Sequence, residues 1–124
     1  MSRHADEATV RRWFDAFNSR DLKGMLACMH PDVDFHPLRL PGLSDSYEGH
    51  QGVSEWFAGL AEMGHHHRVD LAQISAVGSQ RVIAAGTLSG GDHTGGASFW
   101  ALTRLELDLI ASSRHHLSDR FHLR

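Results

Sequence analysis

Histidine is the residue type in this chain best suited to proton chemistry. Eleven of the 124 residues are histidine, at positions 4, 30, 36, 50, 65, 66, 67, 93, 115, 116 and 122. An imidazole with an ordinary pKa of roughly 6.5 can exchange a proton near neutrality. His36 stands directly before Pro37, which biases it toward extended backbone and fixes the direction from which its ring projects. Inside an apolar cavity that ring is neutral at neutral pH and able to take a proton from a carbon acid or a hydroxyl. The alternative for His36 is a hydrogen-bonded strand residue turned outward beside Asp34. His115 and His116 lie in an alternating run from Leu109 to Leu117, so one of them faces inward and the other outward. Two histidines facing one apolar cavity can act as base and acid in turn; the alternative places both on a surface or an interface.

Aromatic area comes from Trp13, Phe17, Trp56, Phe57 and Trp100. Most of it belongs to a core, but Trp13 and Trp100 are expected to offer an indole N–H to a ligand oxygen. The run His65-His66-His67 has the look of a metal tract. Adjacent residues at a helix end point in different directions, and no carboxylate or cysteine flanks them closely, so a solvated helix terminus is the better reading. The lone Cys28 has no CxxC or Cys/His zinc pattern around it and cannot form an internal disulfide. No metal and no cofactor is expected.

The elements that position these residues follow from hydrophobic period. Val10, Trp13, Phe14 and Phe17 are spaced as one face of a helix, with Asp6 available as its N-cap. Leu22, Met25, Leu26 and Met29 repeat the spacing after Asp21 until Pro31, and Val53, Trp56, Phe57 and Leu60 repeat it again before Gly64. Between them Val33 to His36 reads as a short strand running into a long loop. The second half changes to a period of two. Arg68 to Val77 alternates and then slips phase near Ile74, as a bulge would make it do. Val82–Leu88, Ala97–Leu107 and Leu109–Leu117 complete four strands in meander, with Gly90 to Gly96 as a hairpin connection. The class expected is α+β: a curved antiparallel sheet wrapped on three helices from the N-terminal half, forming a cone with one open end.

Length and composition bound the rest. A chain of 124 residues and 41% apolar content makes one domain with a core. A formal charge of −3 with no dense basic stripe argues against nucleic acid as a partner. No run approaches the roughly 18 apolar residues of a membrane span, and the first residues lack a signal-peptide core. A cytoplasmic protein with no membrane partner is expected.

The runs from Val10 to His36, with "F-N-S-R-D-L" and "H-P-D-V-D-F", and from Tyr47 to Phe57, with "Y-E-G-H-Q-G-V", resemble the SnoaL-like, ketosteroid-isomerase-like branch of the nuclear transport factor 2-like superfamily. The likeness spans nearly the whole chain, as a single SnoaL-like domain over 1–124. It implies a cone-shaped α+β barrel whose apolar cavity is the active site in the enzymatic members, and a homodimer through the sheet. It also implies that His36 occupies the position of the isomerases' aspartate base, before a proline. The isomerases' tyrosine and protonated aspartic acid fall at Trp13 and near Trp100 or Ala101, so their oxyanion hole is missing. An epoxide-hydrolase-like set of Asp34, Arg81 or Arg104, and Asp70 has no support from spacing. The resemblance favours His115 over His116 as the inward residue, and two histidines acting as base and acid in one cavity resemble the pattern of scytalone dehydratase. At the last hairpin, Leu105 to Ile110, no glycine is present to supply positive φ.

Two functions follow as expectations. One is cofactor-free proton transfer, of isomerase, cyclase or dehydratase type, on an apolar oxygenated small molecule. His36 and His115 would be its catalytic residues, and Trp13, Phe17, Trp56 and Trp100 would bind the substrate. The other is a non-catalytic ligand-binding or dimerisation module of the same fold, favoured if the cavity leaves no room for a ligand.

Overall fold

A computed structural model describes residues 3–90 and 93–117. The order is α1 (Arg3–Asn18), α2 (Leu22–Ala27), β1 (Met29–His36), β2 (Tyr47–Glu48), α3 (Gly49–Glu62), β3 (Arg68–Ala76), β4 (Arg81–Gly90), β5 (His93–Glu106) and β6 (Leu109–Leu117). The three helices and five of the six strands were anticipated from period; the two-residue β2 was not. His122 and the residues joining β4 to β5 lie outside the described residues.

Each helix buries the stripe its spacing defines. Val10, Trp13, Phe14 and Phe17 of α1 and Val53, Trp56 and Leu60 of α3 are all buried, while Phe57 is half-buried at the edge of the core. Helix α1 begins earlier than expected, so Asp6 falls in its first turn rather than at the cap, where a carboxylate still meets the positive end of the helix dipole. Asp21 does cap α2, accepting from the Gly24 N–H at 3.0 Å. The end of α3 is a Schellman turn: Gly64 takes φ +73°, its N–H bonds to Ala61 O, and the His65 N–H bonds to Leu60 O at 2.8 Å.

The six strands form one sheet in the order β2-β1-β6-β5-β4-β3. It is curved and unclosed. The expected meander holds for β3 to β6, but β1 pairs with β6 in parallel, which corrects the all-antiparallel reading. Met29, expected to continue α2, instead opens β1. Pro31 is tolerated there because it lies in the irregular stretch of the β1–β6 ladder between Met29 and Asp34, where its missing N–H forfeits no ladder bond.

Two irregularities set which side chains face the helices. In β3 the ladder shifts between Leu71 and Gln73, so Val69 and Leu71 and then Ile74 and Ala76 share the inner face. This is the expected phase slip, placed slightly earlier. Gly86 sits opposite, where an added Cβ would lie 2.1 Å from the Asp70 carbonyl oxygen; only glycine lets the two backbones approach this closely. In β6 the shift beside Leu105 and Ile110 puts Ser113 and His115 on the inner face. The register Ala101↔His115 and Trp100↔His116 then assigns His115 inward and His116 outward. The β5–β6 turn uses Leu107 and Asp108 at φ 53° and 64°, the left-handed pair of a type I′ hairpin, built here without glycine.

Helix α1 lies across β3, β4 and β6, and α3 covers β1. Asn18 fixes the end of α1 to β3, donating to Val69 O at 2.7 Å and accepting from Val69 N–H at 2.9 Å. The aromatic stripes of α1 and α3 thus meet over the concave side of the sheet.

Candidate active site

Between the two helices and the sheet is a cavity of about 30 Å³, close to one water's share of liquid volume. Trp13, Phe14 and Phe17 come to it from α1, Trp56 and Leu60 from α3, and Phe99 and His115 from the sheet. Leu38 and Leu40, on the irregular segment after β1, form part of its wall.

His115 is the polar group at the centre of this aromatic wall. Its ring stands edge-on to Phe35 at 5.2 Å, Phe99 at 5.4 Å and Trp13 at 5.6 Å, with Phe14 at 5.8 Å. Nε2 is sealed from solvent and has no hydrogen-bond partner. Burial, and secondarily the charge of neighbouring His116, push its pKa down from 6.5 to about 3, because a dry aromatic surround cannot solvate an imidazolium. His115 is therefore a neutral imidazole at every ordinary pH.

Trp56 supplies a second polar atom. Its Nε1–H is also buried and without a partner, and its ring meets Phe35 at 4.8 Å. Phe35 thus touches both Trp56 and His115. Trp13, expected to offer its N–H to a ligand, donates it to Met29 Sδ at 3.2 Å. Of the two indoles that line the cavity, the one on α3 keeps an unpartnered N–H.

Other candidates fall elsewhere. His36 is on the outer side of β1, in register with Arg114, and its Nε2 lies 2.9 Å from Asp34 Oδ1. The neighbouring residue Phe35 points inward and is fully buried, so alternation along β1 turns His36 away from the cavity. The outward alternative for His36 is the one observed. Trp100 likewise leaves the cavity: it stacks on His116 at 4.3 Å on the outer face, and its neighbour Phe99 takes the inward place. The set of Asp34, Arg81 or Arg104, and Asp70 is not brought together, since Asp70 pairs with Arg68 and Arg104 with Glu106. Among the described residues, no three histidine, cysteine or acidic side chains converge as a metal site.

The histidine tract holds a residue that period alone assigned to solvent. His67 is buried and lines the cavity, which corrects the reading of all three as a solvated terminus. The inward phase of β3, Val69 and Leu71, extends back by one step to His67. Leu38 and Leu40 were also missed, since they lie in irregular chain that carries no period.

No curated protein matches the sequence significantly. Solved structures match it closely in shape. TerC, crystallised with polyporic acid, superposes with a TM-score of 0.81 at 21% identity over 92% of both chains. An NTF2-like protein of unknown function from Burkholderia pseudomallei gives 0.80 at 24% identity, over 96% of this chain and 93% of that one. A protein from Kribbella flavida assigned as a ketosteroid isomerase gives 0.77 at 16% identity, over 98% and 84%. At these identities the likeness is one of fold. The SnoaL-like domain model matches residues 10–111, from the apolar stripe of α1 to the first residues of β6, and the chain belongs to the SnoaL-like family.

Proposed function

We propose that the protein carries out cofactor-free proton transfer on an apolar, oxygenated small molecule held between Trp56 and His115. The observation that supports this most is the pair of sealed, unpartnered polar atoms, Trp56 Nε1 and His115 Nε2, on two residues of a largely aromatic and aliphatic lining. A buried polar atom without a partner costs the fold roughly 1–3 kcal/mol, and a ligand that bonds to both removes that cost on binding. In the reaction, His115 Nε2 takes a proton from a carbon next to a carbonyl. The electron pair moves onto the carbonyl oxygen, where the Trp56 N–H donates to it, and the imidazolium returns the proton at the same or another carbon. The low pKa of the empty site does not prevent the step, because the imidazolium forms only beside a new enolate charge that stabilises it. A single indole donor stabilises that charge less than an acid–tyrosine pair would, so a modest rate is expected.

The test is deuterium incorporation from D₂O into 1-phenyl-2-propanone, followed by NMR. Catalysed exchange should fall at least 100-fold in His115→Leu and several-fold in Trp56→Phe. Exchange in the wild type should stay flat from pH 8 down to pH 5, because His115 does not protonate in that range. An acid limb within that range would assign the base to a group other than His115.

A second reading is favoured by the narrowness of the cavity, about 30 Å³. It is a binding module of the same fold that turns nothing over. A ring-sized ligand enters only if Leu38 and Leu40 move apart. Tight binding of 1-phenyl-2-propanone with no exchange above background would support this reading over catalysis. In either case the protein is proposed to pair with a second copy through the outer sheet face, where Ile83 and Leu102 stand 36% and 37% exposed beside Trp100. The free, buried Cys28 suits a reducing, cytoplasmic setting.

A further inference from the structure

On the far side of Leu60 from the cavity lies a second hollow of about 190 Å³, lined by Arg20, Phe57, Leu60, Ala61, His65 and His66. Its composition is unlike that of the aromatic cavity: one guanidinium and two imidazoles over an apolar floor, with no carboxylate among the lining residues. Arg20 is in left-handed backbone at φ 58°, just after α1, and packs its guanidinium over the Phe17 ring at 4.7 Å. It donates to the carbonyl oxygens of Phe17 at 3.4 Å and His67 at 2.5 Å. Among the described residues it pairs with no acid. Desolvation pulls its pKa down although the residue as a whole is exposed. His65 also lines the hollow, its ring stacked on His67 at 5.6 Å, and its Nε2 is buried without a hydrogen-bond partner. At the end of α3 the Leu60 and Ala61 carbonyls accept from the His65 and Gly64 N–H groups, which blunts the negative end of the helix dipole beside the hollow.

We propose that this hollow binds a small apolar carboxylate, with its carboxylate on Arg20 and His65 and its hydrocarbon body on Phe57 and Leu60. Arg20 supplies the planar donor fork that matches a carboxylate, and His65 Nε2 donates the third bond. The volume suits a single ring with a short acidic side chain. The site is separate from the His115 cavity and shares only Leu60 with it among the lining residues.

Isothermal titration with 3-phenylpropionate and with its neutral isostere 3-phenylpropanamide tests the proposal. Wild-type protein should bind the acid at least tenfold more tightly than the amide. Arg20→Gln should erase that preference and leave amide binding within twofold. Because Arg20 also holds two backbone carbonyls, His65→Phe serves as a second variant that leaves those bonds intact, and it should weaken acid binding several-fold. Phe57→Ala should weaken both ligands. Equal affinity for acid and amide, or acid binding unchanged in both Arg20→Gln and His65→Phe, overturns the proposal. Binding lost in His115→Leu but kept in Phe57→Ala overturns it too, by placing the ligand in the aromatic cavity. Acetate displacing 3-phenylpropionate at equal concentration reduces the hollow to a bare anion site and overturns the assignment of its apolar floor.

Discussion

Four aromatic rings stand around the half-buried His115, and the surround decides its protonation more than its own chemistry does. In the folded protein it titrates near 3, whereas in the unfolded chain it returns to about 6.5. Between those limits the unfolded state binds more protons than the native state. The contribution of His115 to stability is therefore complete above about pH 7 and falls as pH drops from about 6.5 toward 3, with a limiting slope of about 1.4 kcal/mol per pH unit. Urea unfolding at pH 7.5 and pH 5 should show this loss in the wild type, and the loss should be smaller in His115→Leu. An identical pH dependence in the two proteins would mean that the ring is hydrated and not caged. At this scale the sequence was partly legible. Alternation from Leu109 to Leu117 confined the inward residue to His115 or His116, and the resemblance chose correctly. His36 was misplaced because a dipeptide, His-Pro, identifies a position in a family but not the face of a strand. The free donor of Trp56 was invisible in the sequence, since only the Trp13–Met29 contact reveals which indole is already occupied.

Strands and turns carry the constraints that aim these side chains. Leu107 and Asp108 hold left-handed backbone at the β5–β6 hairpin, which costs a non-glycine residue about 1–2 kcal/mol. Replacing the pair with Asn-Gly should raise stability by about 1–2 kcal/mol in chemical denaturation, with His115 still inward. No gain would contradict the strain assigned to the pair. Gly86→Ala should act in the opposite direction, since its Cβ meets the backbone of β3. A loss of roughly 1–3 kcal/mol is expected, and a neutral result would contradict the close approach at the bulge. Helices were readable because Val10, Trp13, Phe14 and Phe17 state a period of 3.6 locally, and the β3 bulge was readable as a slip of phase. The parallel pairing of β1 with β6 was not, because a contact between segments so far apart leaves no mark on the period of either. The turn conformation of Leu107 escaped for a related reason: the hairpin register imposes it against the residue's own preference.

The whole molecule has two unlike faces of one sheet. The concave face is closed by α1 and α3 over the aromatic cavity, and the convex face leaves Ile83 and Leu102 open to solvent beside the Trp100–His116 stack. That position of Trp100 takes it out of the ligand wall. If the convex face joins two copies, Leu102→Glu should convert a dimer to a monomer in sedimentation or light scattering without loss of helix signal. A wild-type monomer at the same concentration would contradict the pairing. Composition alone had bounded the molecule to one domain with a core and no dense basic stripe. Among the described residues no helix is long and apolar enough to cross a membrane. The chemistry of the cavity depended on how the concave face closes, which no local property of the sequence states.

The central claim is that His115 serves a ligand at some cost to the fold. Its most direct test pairs two readings on one variant, His115→Leu: thermal unfolding at pH 7 and deuterium exchange of 1-phenyl-2-propanone. Leucine nearly matches the ring in volume and leaves no polar atom unsatisfied, so the variant should be more stable by about 1–2 kcal/mol while losing catalysed exchange. A less stable variant that exchanges as fast as the wild type would contradict the account, and would make His115 a structural residue of the core.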